Sequence, residues 1–177
     1  LVSYGNTDDS FDWQDGWQGQ ENTNWYAYQT GAGNFGMEIE SKSVNNAFFP
    51  KVSNITLRRA VGTVTEAGNP LEIDAIQFKK EGNGEYSNVV ISGYTSANAT
   101  TVRIQDAATN TNQVTTGKIK MLNVKIADTT PLWGAGATTF TVAFLPANFT
   151  TSTTATGALL TPGAWAIADG VNLLGNL

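Results

Sequence analysis

Hydrophobic and polar positions along this chain fall into short alternating runs. Phe11-Asp12-Trp13, Met37-Glu38-Ile39, Ile76-Gln77-Phe78, Val102-Arg103-Ile104 and Phe140-Thr141-Val142 each set one polar residue between two apolar ones. That period of two is the mark of a half-buried strand. A second set of runs lies between them, and its members begin alike: Asn24-Trp25-Tyr26-Ala27-Tyr28, Asn54-Ile55-Thr56-Leu57, Asn88-Val89-Val90-Ile91 and Asn123-Val124-Lys125-Ile126. Their asparagines recur at intervals of 30, 34 and 35 residues. No stretch of about 11 residues keeps apolar positions at helical spacing together with a cap, so no helix is predicted.

Strand pairs repeating every 20 to 50 residues or so indicate units that bury their apolar faces by stacking on one another. The pattern therefore predicts an all-β fold, a right-handed parallel β-helix of about five coils with a C-terminal cap. The coils are expected over residues 1–128, and the last coil with the cap over 129–177. Asn24, Asn54, Asn88 and Asn123 are read as a structural ladder, because asparagine tolerates a left-handed bend at a coil corner and stacked amides can bond along the solenoid. The competing architecture, an antiparallel sandwich, needs turn signals every 8 to 12 residues or so. Asn83-Gly84 is the one strong hairpin signal in the chain. In the tail, Leu132-Trp133, Phe144-Leu145, Leu159-Leu160, Trp165 and Leu173-Leu174 stand among Thr, Ala and Gly. They predict an apolar cover for strand edges that an open end would expose.

Composition narrows the chemistry. The 177 residues include no Cys and no His and carry a formal net charge of −5, with 10 Lys+Arg against 15 Asp+Glu. Catalysis through a Ser-His-Asp or Cys-His arrangement is excluded, as are disulfides and metal sites built on soft ligands. The weak cationic content argues against nucleic acid as a partner. No apolar run reaches the roughly 20 residues needed to cross a bilayer as a helix. Low charge made up by Thr, Asn, Ser and Gly points to an extracellular or cell-surface location. Leu1-Val2-Ser3-Tyr4 reads as a strand already under way, without an initiator Met or signal sequence, so a processed product or part of a longer protein is expected. Asn54, Asn98 and Asn148 lie in Asn-X-Ser/Thr triplets, which an Asn- and Thr-rich chain produces by chance.

The first 40 residues carry a more specific pattern. Thr7-Asp8-Asp9-Ser10-Phe11-Asp12-Trp13-Gln14-Asp15-Gly16-Trp17-Gln18-Gly19, then Asn24-Trp25, then Gly36-Met37-Glu38-Ile39-Glu40, with Ser53-Asn54-Ile55-Thr56-Leu57 later, stand in this order. The arrangement resembles a group of secreted or lipid-anchored right-handed parallel β-helix proteins of Bacteroidetes-type bacteria, which carry a D-D-S-F-D-W/F-x-x-G-W/Y-x-G signature. The likeness spans roughly residues 1–128. It implies the fold, an outward-facing place at the outer membrane and further coils upstream, and it implies no particular reaction. Where those relatives tend to have Asp-Asn, this chain has Ser41-Lys42.

Asp8, Asp9, Asp12 and Asp15 form the densest acidic cluster in the sequence. Hard oxygen ligands at a tight turn suit Ca²⁺, the one cofactor anticipated. The alternative is that Asp8 and Asp9 bond backbone groups at a coil corner while Asp12 and Asp15 face water. Asn6-Thr7-Asp8-Asp9 also has a faint likeness to elements of β-helical polygalacturonases, but the Gly-His-Gly element of those enzymes needs a His. β-Helical pectate lyases use Ca²⁺ with an Arg or Lys base. Here Arg58, Arg59, Lys79, Lys80 and Arg103 are expected two or three coils from the acids, with Arg58-Arg59 and Lys79-Lys80 as solvated strand ends. No catalytic residue is therefore assigned. Trp13, Trp17, Trp25, Tyr26 and Tyr28 are either core or a surface for a glycan or a partner protein. The expectation is a non-enzymatic structural or adhesive module, with other subunits or upstream β-helix coils as partners. Glycan binding is the alternative reading, and a polysaccharide lyase or hydrolase the remaining one.

Overall fold

A computed structural model describes residues 1–41, 50–128, 130–168 and 171–174. One parallel sheet holds six strands in the order β1 (Val2–Tyr4), β3 (Asn22–Gln29), β5 (Lys51–Arg59), β7 (Gly84–Ser92), β9 (Ile119–Ile126) and β11 (Phe149–Thr151). A second parallel sheet holds five, β2 (Phe11–Trp13), β4 (Met37–Glu40), β6 (Ile76–Lys79), β8 (Val102–Ile104) and β10 (Trp133–Ala135). Along the chain the strands alternate between the sheets, so each consecutive pair is one turn of a solenoid. Five such turns and the extra strand β11 make a parallel β-helix.

Register puts like residues above one another. Phe11, Met37, Ile76, Val102 and Trp133 form one inward column, and Trp13, Ile39, Phe78, Ile104 and Ala135 the next. Facing them, Trp25, Ile55, Val89 and Val124 line up across the six-stranded sheet, with Ala27, Leu57 and Ile91 beside them. These residues form one continuous core. Fully burying each large side chain contributes about 1.5–3 kcal/mol, which no single coil could gather alone.

Asn24, Asn54, Asn88 and Asn123 all adopt left-handed backbone, with φ of 61°, 57°, 53° and 57°. Each bends its strand, so the long strands wrap two facets of the solenoid. Asn88 Nδ2 donates to Asn54 Oδ1 at 2.7 Å, and Asn54 Nδ2 donates to Thr23 Oγ1 at 3.0 Å. A continuous run of bonded amides does not form among the described residues. Instead, Asn24 and Asn88 turn their side-chain oxygens to the returning C-terminal chain.

Two parts of the tail, the last strand and the segment after β11, differ from the pattern-based expectation. The last strand of the second sheet is Trp133–Ala135, and Phe140-Thr141-Val142 is not a strand. Residues 136–148 fold over the solenoid end, where Trp133, Phe144 and Phe149 pack ring to ring at 5.0–5.3 Å. Beyond β11 the chain then turns back and runs across the outer face of the six-stranded sheet. Thr156 N donates to Asn88 Oδ1 at 2.8 Å, Ala158 N to Thr56 Oγ1 at 2.9 Å, Leu159 N to Asn24 Oδ1 at 2.9 Å, and the Tyr26 hydroxyl to Leu174 O at 2.5 Å. The apolar tail is thus divided between an end plug and a strap that reaches the first coils. The strap finishes in a 3-10 turn at Ala164–Ala166 and a short antiparallel hairpin of β12 (Ile167–Ala168) and β13 (Val171–Asn172).

A single helical turn, α1 (Ala107–Thr109), continues as a π-type turn over Asn110–Val114 at one coil corner. The sequence predicts no helix there because the segment is too short for periodicity to register. Asp106 caps it, accepting from Thr109 N at 2.8 Å.

Candidate functional site

Alternation sends the polar residue of each short triplet outward, and register stacks Asp12, Glu38, Gln77 and Arg103 in a row on the outer face of the five-stranded sheet. Glu40 and Lys79 form a shorter row beside it. Neighbours in such rows are about 4.8 Å apart. The corner before β2 adds Asp8 and Asp9, and the loop before β6 adds Glu72. One carboxylate oxygen from each of Asp8, Asp9 and Glu72 lies within 4.8 Å of the other two, and the same holds for Asp9, Asp12 and Glu38.

The corner is held from below. Asp9 Oδ1 accepts from Phe35 N at 2.7 Å, and Asp8 Oδ1 accepts from Asn34 Nδ2 at 2.7 Å. Asn34 is fully buried and in turn accepts from Glu66 N at 2.9 Å through its amide oxygen. Arg59 secures the same turn by donating to Gly33 O at 2.7 Å and Asn34 O at 3.1 Å. Asp8 and Asp9 therefore cap the next coil and also present carboxylate to the strip.

Glu38 and Glu40 are only 6% and 5% exposed. Lys79 Nζ lies 2.7 Å from Glu38 and 3.5 Å from Glu40, and Lys80 Nζ lies 2.8 Å from Glu40. Burial lowers the Lys79 pKa, but the hydrogen bond and charge of Glu38, joined by Glu40, outweigh it and leave Lys79 raised. The acids also move up. Burial, then the charge of Glu38, pushes Asp9 up to about 8 in spite of its bond from Phe35. Burial raises Glu38 against the opposing effect of Lys79, and burial followed by the charges of Glu38 and Asp8 raises Glu72. Asp12 is raised chiefly by burial. Arg103 is turned aside by a buried partner: Asp74 accepts from its Nε and also from Thr100 N at 2.6 Å and Thr100 Oγ1 at 2.8 Å.

Several sequence-based assignments change here. Asp15 belongs to neither carboxylate group; its left-handed φ of 58° and the φ of 77° at Gly16 carry the chain away from the row. Lys79 reaches the acids because Glu38 occupies the intervening coil, and Arg59 is a buried corner donor, so neither is a solvated strand end. Trp25 is 5% exposed and Tyr26 0%, which removes both from any free aromatic surface. Trp25 points into the core, and Tyr26 lies under the strap with Ala158, Ala166 and Leu174. Tyr28 is half-buried between Tyr4, at 5.9 Å edge to face, and the Arg58 guanidinium, 4.6 Å over its ring. Trp13 and Trp17 keep part of their surface. Asn54 spends its amide in the ladder and Asn148 is buried, so neither presents itself as a glycan acceptor. Lys42 and the side chain of Trp165 lie outside the described residues.

Sequence reasoning missed Glu38, Glu40, Glu72 and Lys79. The first two carried a signal, since Glu38 holds the same triplet position as Asp12. Glu72 carried none, because a loop residue has no register to read. Two concavities open on the described surface. One of about 610 Å³ sits near the plugged end around Val124, Ile126, Asp128 and Leu132, away from the acids. Another, of about 450 Å³, opens at the first coil beside Asp12, Trp13 and Trp17. No helix among the described residues is long and apolar enough to cross a membrane.

The model of a protein family described as a pectate-lyase-like beta helix domain matches residues 1–167. No curated protein and no solved structure matches the chain.

Proposed function

Because the chain belongs to the pectate-lyase-like beta-helix family, we propose that it serves as a non-enzymatic structural and adhesive β-helix module at the cell surface, with its first coils clamped by a divalent cation. The observation that carries this reading is the way charge is spent on the strip. Lys79 and Lys80 are paired with Glu38 and Glu40, and Arg103 with Asp74. A polysaccharide lyase needs a basic side chain that is free of its own proton and can take one from the sugar, and a Lys79 with a raised pKa holds its proton more firmly. An inverting hydrolase needs carboxyls roughly 6.5–9.5 Å apart with water between them. Here Asp9, Asp12 and Glu38 each bring one carboxylate oxygen within 4.8 Å of the others, closer than an inverting pair and nearer the roughly 5–5.5 Å of a retaining one, which the activity screen below tests.

Crowded, partly desolvated carboxylates favour a hard cation with oxygen ligands. Asp8, Asp9, Asp12, Glu38 and Glu72 would hold Ca²⁺, linking the corner before β2 to β4 and to the loop before β6. The surface location is supported by the Cys-free, Thr- and Asn-rich composition.

The test pairs thermal melting with an activity screen. Millimolar Ca²⁺ raises Tm, chelation reverses the rise, and Asp9→Asn with Glu38→Gln abolishes it. Acidic and neutral polysaccharides yield no new reducing ends and no unsaturated products. Identical melting with and without Ca²⁺ would remove the cation, and product formation lost in Asp9→Asn would replace the module with an enzyme.

A further inference from the structure

We propose that Lys79 is a tethered counter-ion shared by two acids: it neutralises Glu38 until a divalent cation claims that carboxylate, and then passes to Glu40. This rests on the cation reading and deepens it, because it names how ion entry at that site is regulated. Register and bonding disagree at this lysine. Lys79 stands directly opposite Glu40 across β4 and β6, and Glu38 stands opposite Gln77. The Lys79 ammonium nevertheless leans along the diagonal, 2.7 Å from Glu38 Oε2 and 3.5 Å from Glu40 Oε2. Both acids are almost wholly buried.

That lean leaves Glu40 half satisfied. Its Oε1 accepts from Lys80 Nζ at 2.8 Å, whereas its Oε2 is buried and has no hydrogen-bond partner among the described residues. A buried acceptor without a donor is costly, and such atoms are rare in folded proteins. Here a donor already waits beside it. Moving the Lys79 ammonium about 0.7 Å towards Oε2 would bring it to ordinary charge-assisted hydrogen-bond distance, roughly 2.8 Å.

Competition for Glu38 supplies the push. One Glu38 oxygen lies within 4.8 Å of oxygens from Asp9 and Asp12, so a cation among the three acids draws on the carboxylate that Lys79 holds. The ion brings two positive charges to a group where Lys79 brings one, and like charges at this range repel strongly where water is scarce. Glu38 cannot neutralise both. Glu40, on the next outward step of the same strand, takes the ammonium, and its Oε2 gains the bond it lacks. Neither buried carboxylate is left uncompensated in either arrangement, which is what keeps the exchange affordable. Lys80 provides the contrast: it pairs with Glu40, its side chain is 63% exposed, and it stands outside the exchange.

The test is a calorimetric titration of the full chain with calcium chloride at fixed pH and ionic strength. The parent is compared with Lys79→Met, Glu40→Gln, the two together, and Lys80→Met. Lys79→Met should bind Ca²⁺ about tenfold more tightly than the parent, because no ammonium has to leave Glu38, and Lys80→Met should stay within about twofold of it. Glu40→Gln should weaken binding several-fold more in the parent than in the Lys79→Met background, since only the parent has an ammonium to rehouse. Melting curves confirm that each variant folds; if Lys79→Met does not melt cooperatively, Lys79→Gln replaces it. Three results would overturn the exchange and leave the cation site standing: Lys79→Met no tighter than the parent, equal gains from Lys79→Met and Lys80→Met, or equal effects of Glu40→Gln in both backgrounds. Absence of Ca²⁺ binding by the parent and every variant would remove the cation reading itself, and this inference with it.

Discussion

Asn88 donates its side-chain amide to Asn54 across neighbouring coils at 2.7 Å, while its own Oδ1 accepts from Thr156 N at 2.8 Å on the returning strap. One left-handed residue thus ties coil to coil and coil to strap. Asn88→Ala should lose these side-chain bonds and the tolerance of left-handed backbone that asparagine's short polar side chain gives, together about 2–4 kcal/mol. For a chain of this size that lowers Tm by several degrees. Asn88→Gly keeps the backbone and loses only the bonds, so its Tm should fall less. Thermal melting of the pair separates the two effects, and equal losses would show that the left-handed bend is not the main cost.

The acidic strip predicts a pH dependence of definite sign. Folded Asp9 keeps its proton up to about pH 8, whereas in the unfolded chain it titrates near 3.8. Between those values the unfolded state binds fewer protons, so stability falls as pH rises. Glu38, Glu72 and Asp12 are raised as well and act in the same direction. In metal-free buffer, Tm should decline from about pH 4 towards pH 8. Asp9→Asn should flatten that decline, because an amide has no proton to lose. A cation must displace the Asp9 proton, so Ca²⁺ affinity measured by calorimetry should rise over the same range.

Gly157 sits where the strap crosses Thr56 and Val90. Its φ is +69°, and a Cβ would lie 2.2 Å from Thr56 Oγ1. Gly157→Ala should lift residues 155–160 from the sheet, seen as faster hydrogen exchange there and easier proteolysis. Tyr26→Phe removes only the hydroxyl that donates to Leu174 O and should cost about 1 kcal/mol. If exchange in the strap is already fast in the parent chain, the strap contributes little and both changes should be nearly silent.

Asp74 is fully buried and gathers three donors, from Thr100 N, Thr100 Oγ1 and Arg103 Nε. Asp74→Ala leaves the guanidinium and a backbone N–H without their acceptor and should cost about 3–5 kcal/mol in urea unfolding. Asp74→Asn, which keeps one acceptor oxygen, should cost less. Similar losses from both would place the stability in the charge and not in the bonds.

The two strand ladders and the repeating asparagines were legible because a solenoid writes its register directly into the sequence. Each coil repeats the same inward and outward steps, so Met37 predicts Ile76, and Asn54 predicts Asn88. Asp12 and Glu38 hold the same outward step, a signal present in the sequence, but their meeting with Asp9 and Glu72 could not be read. Those two come from a corner and a loop, where no period fixes position. Burial of the aromatics was likewise undecided by alternation, since Trp25 and Tyr26 point to opposite faces and both end up covered. Tyr26 is covered by a segment more than 130 residues away in sequence. The chain's own pattern therefore determined the parallel β-helix, its coil number and the left-handed bends, because these follow from local steric preference and period. Only the tertiary structure decided that the tail divides into a plug and a strap and that loop acids converge on a strand row. Such contacts arise from packing across coils, which leaves no periodic trace in the residues that make them.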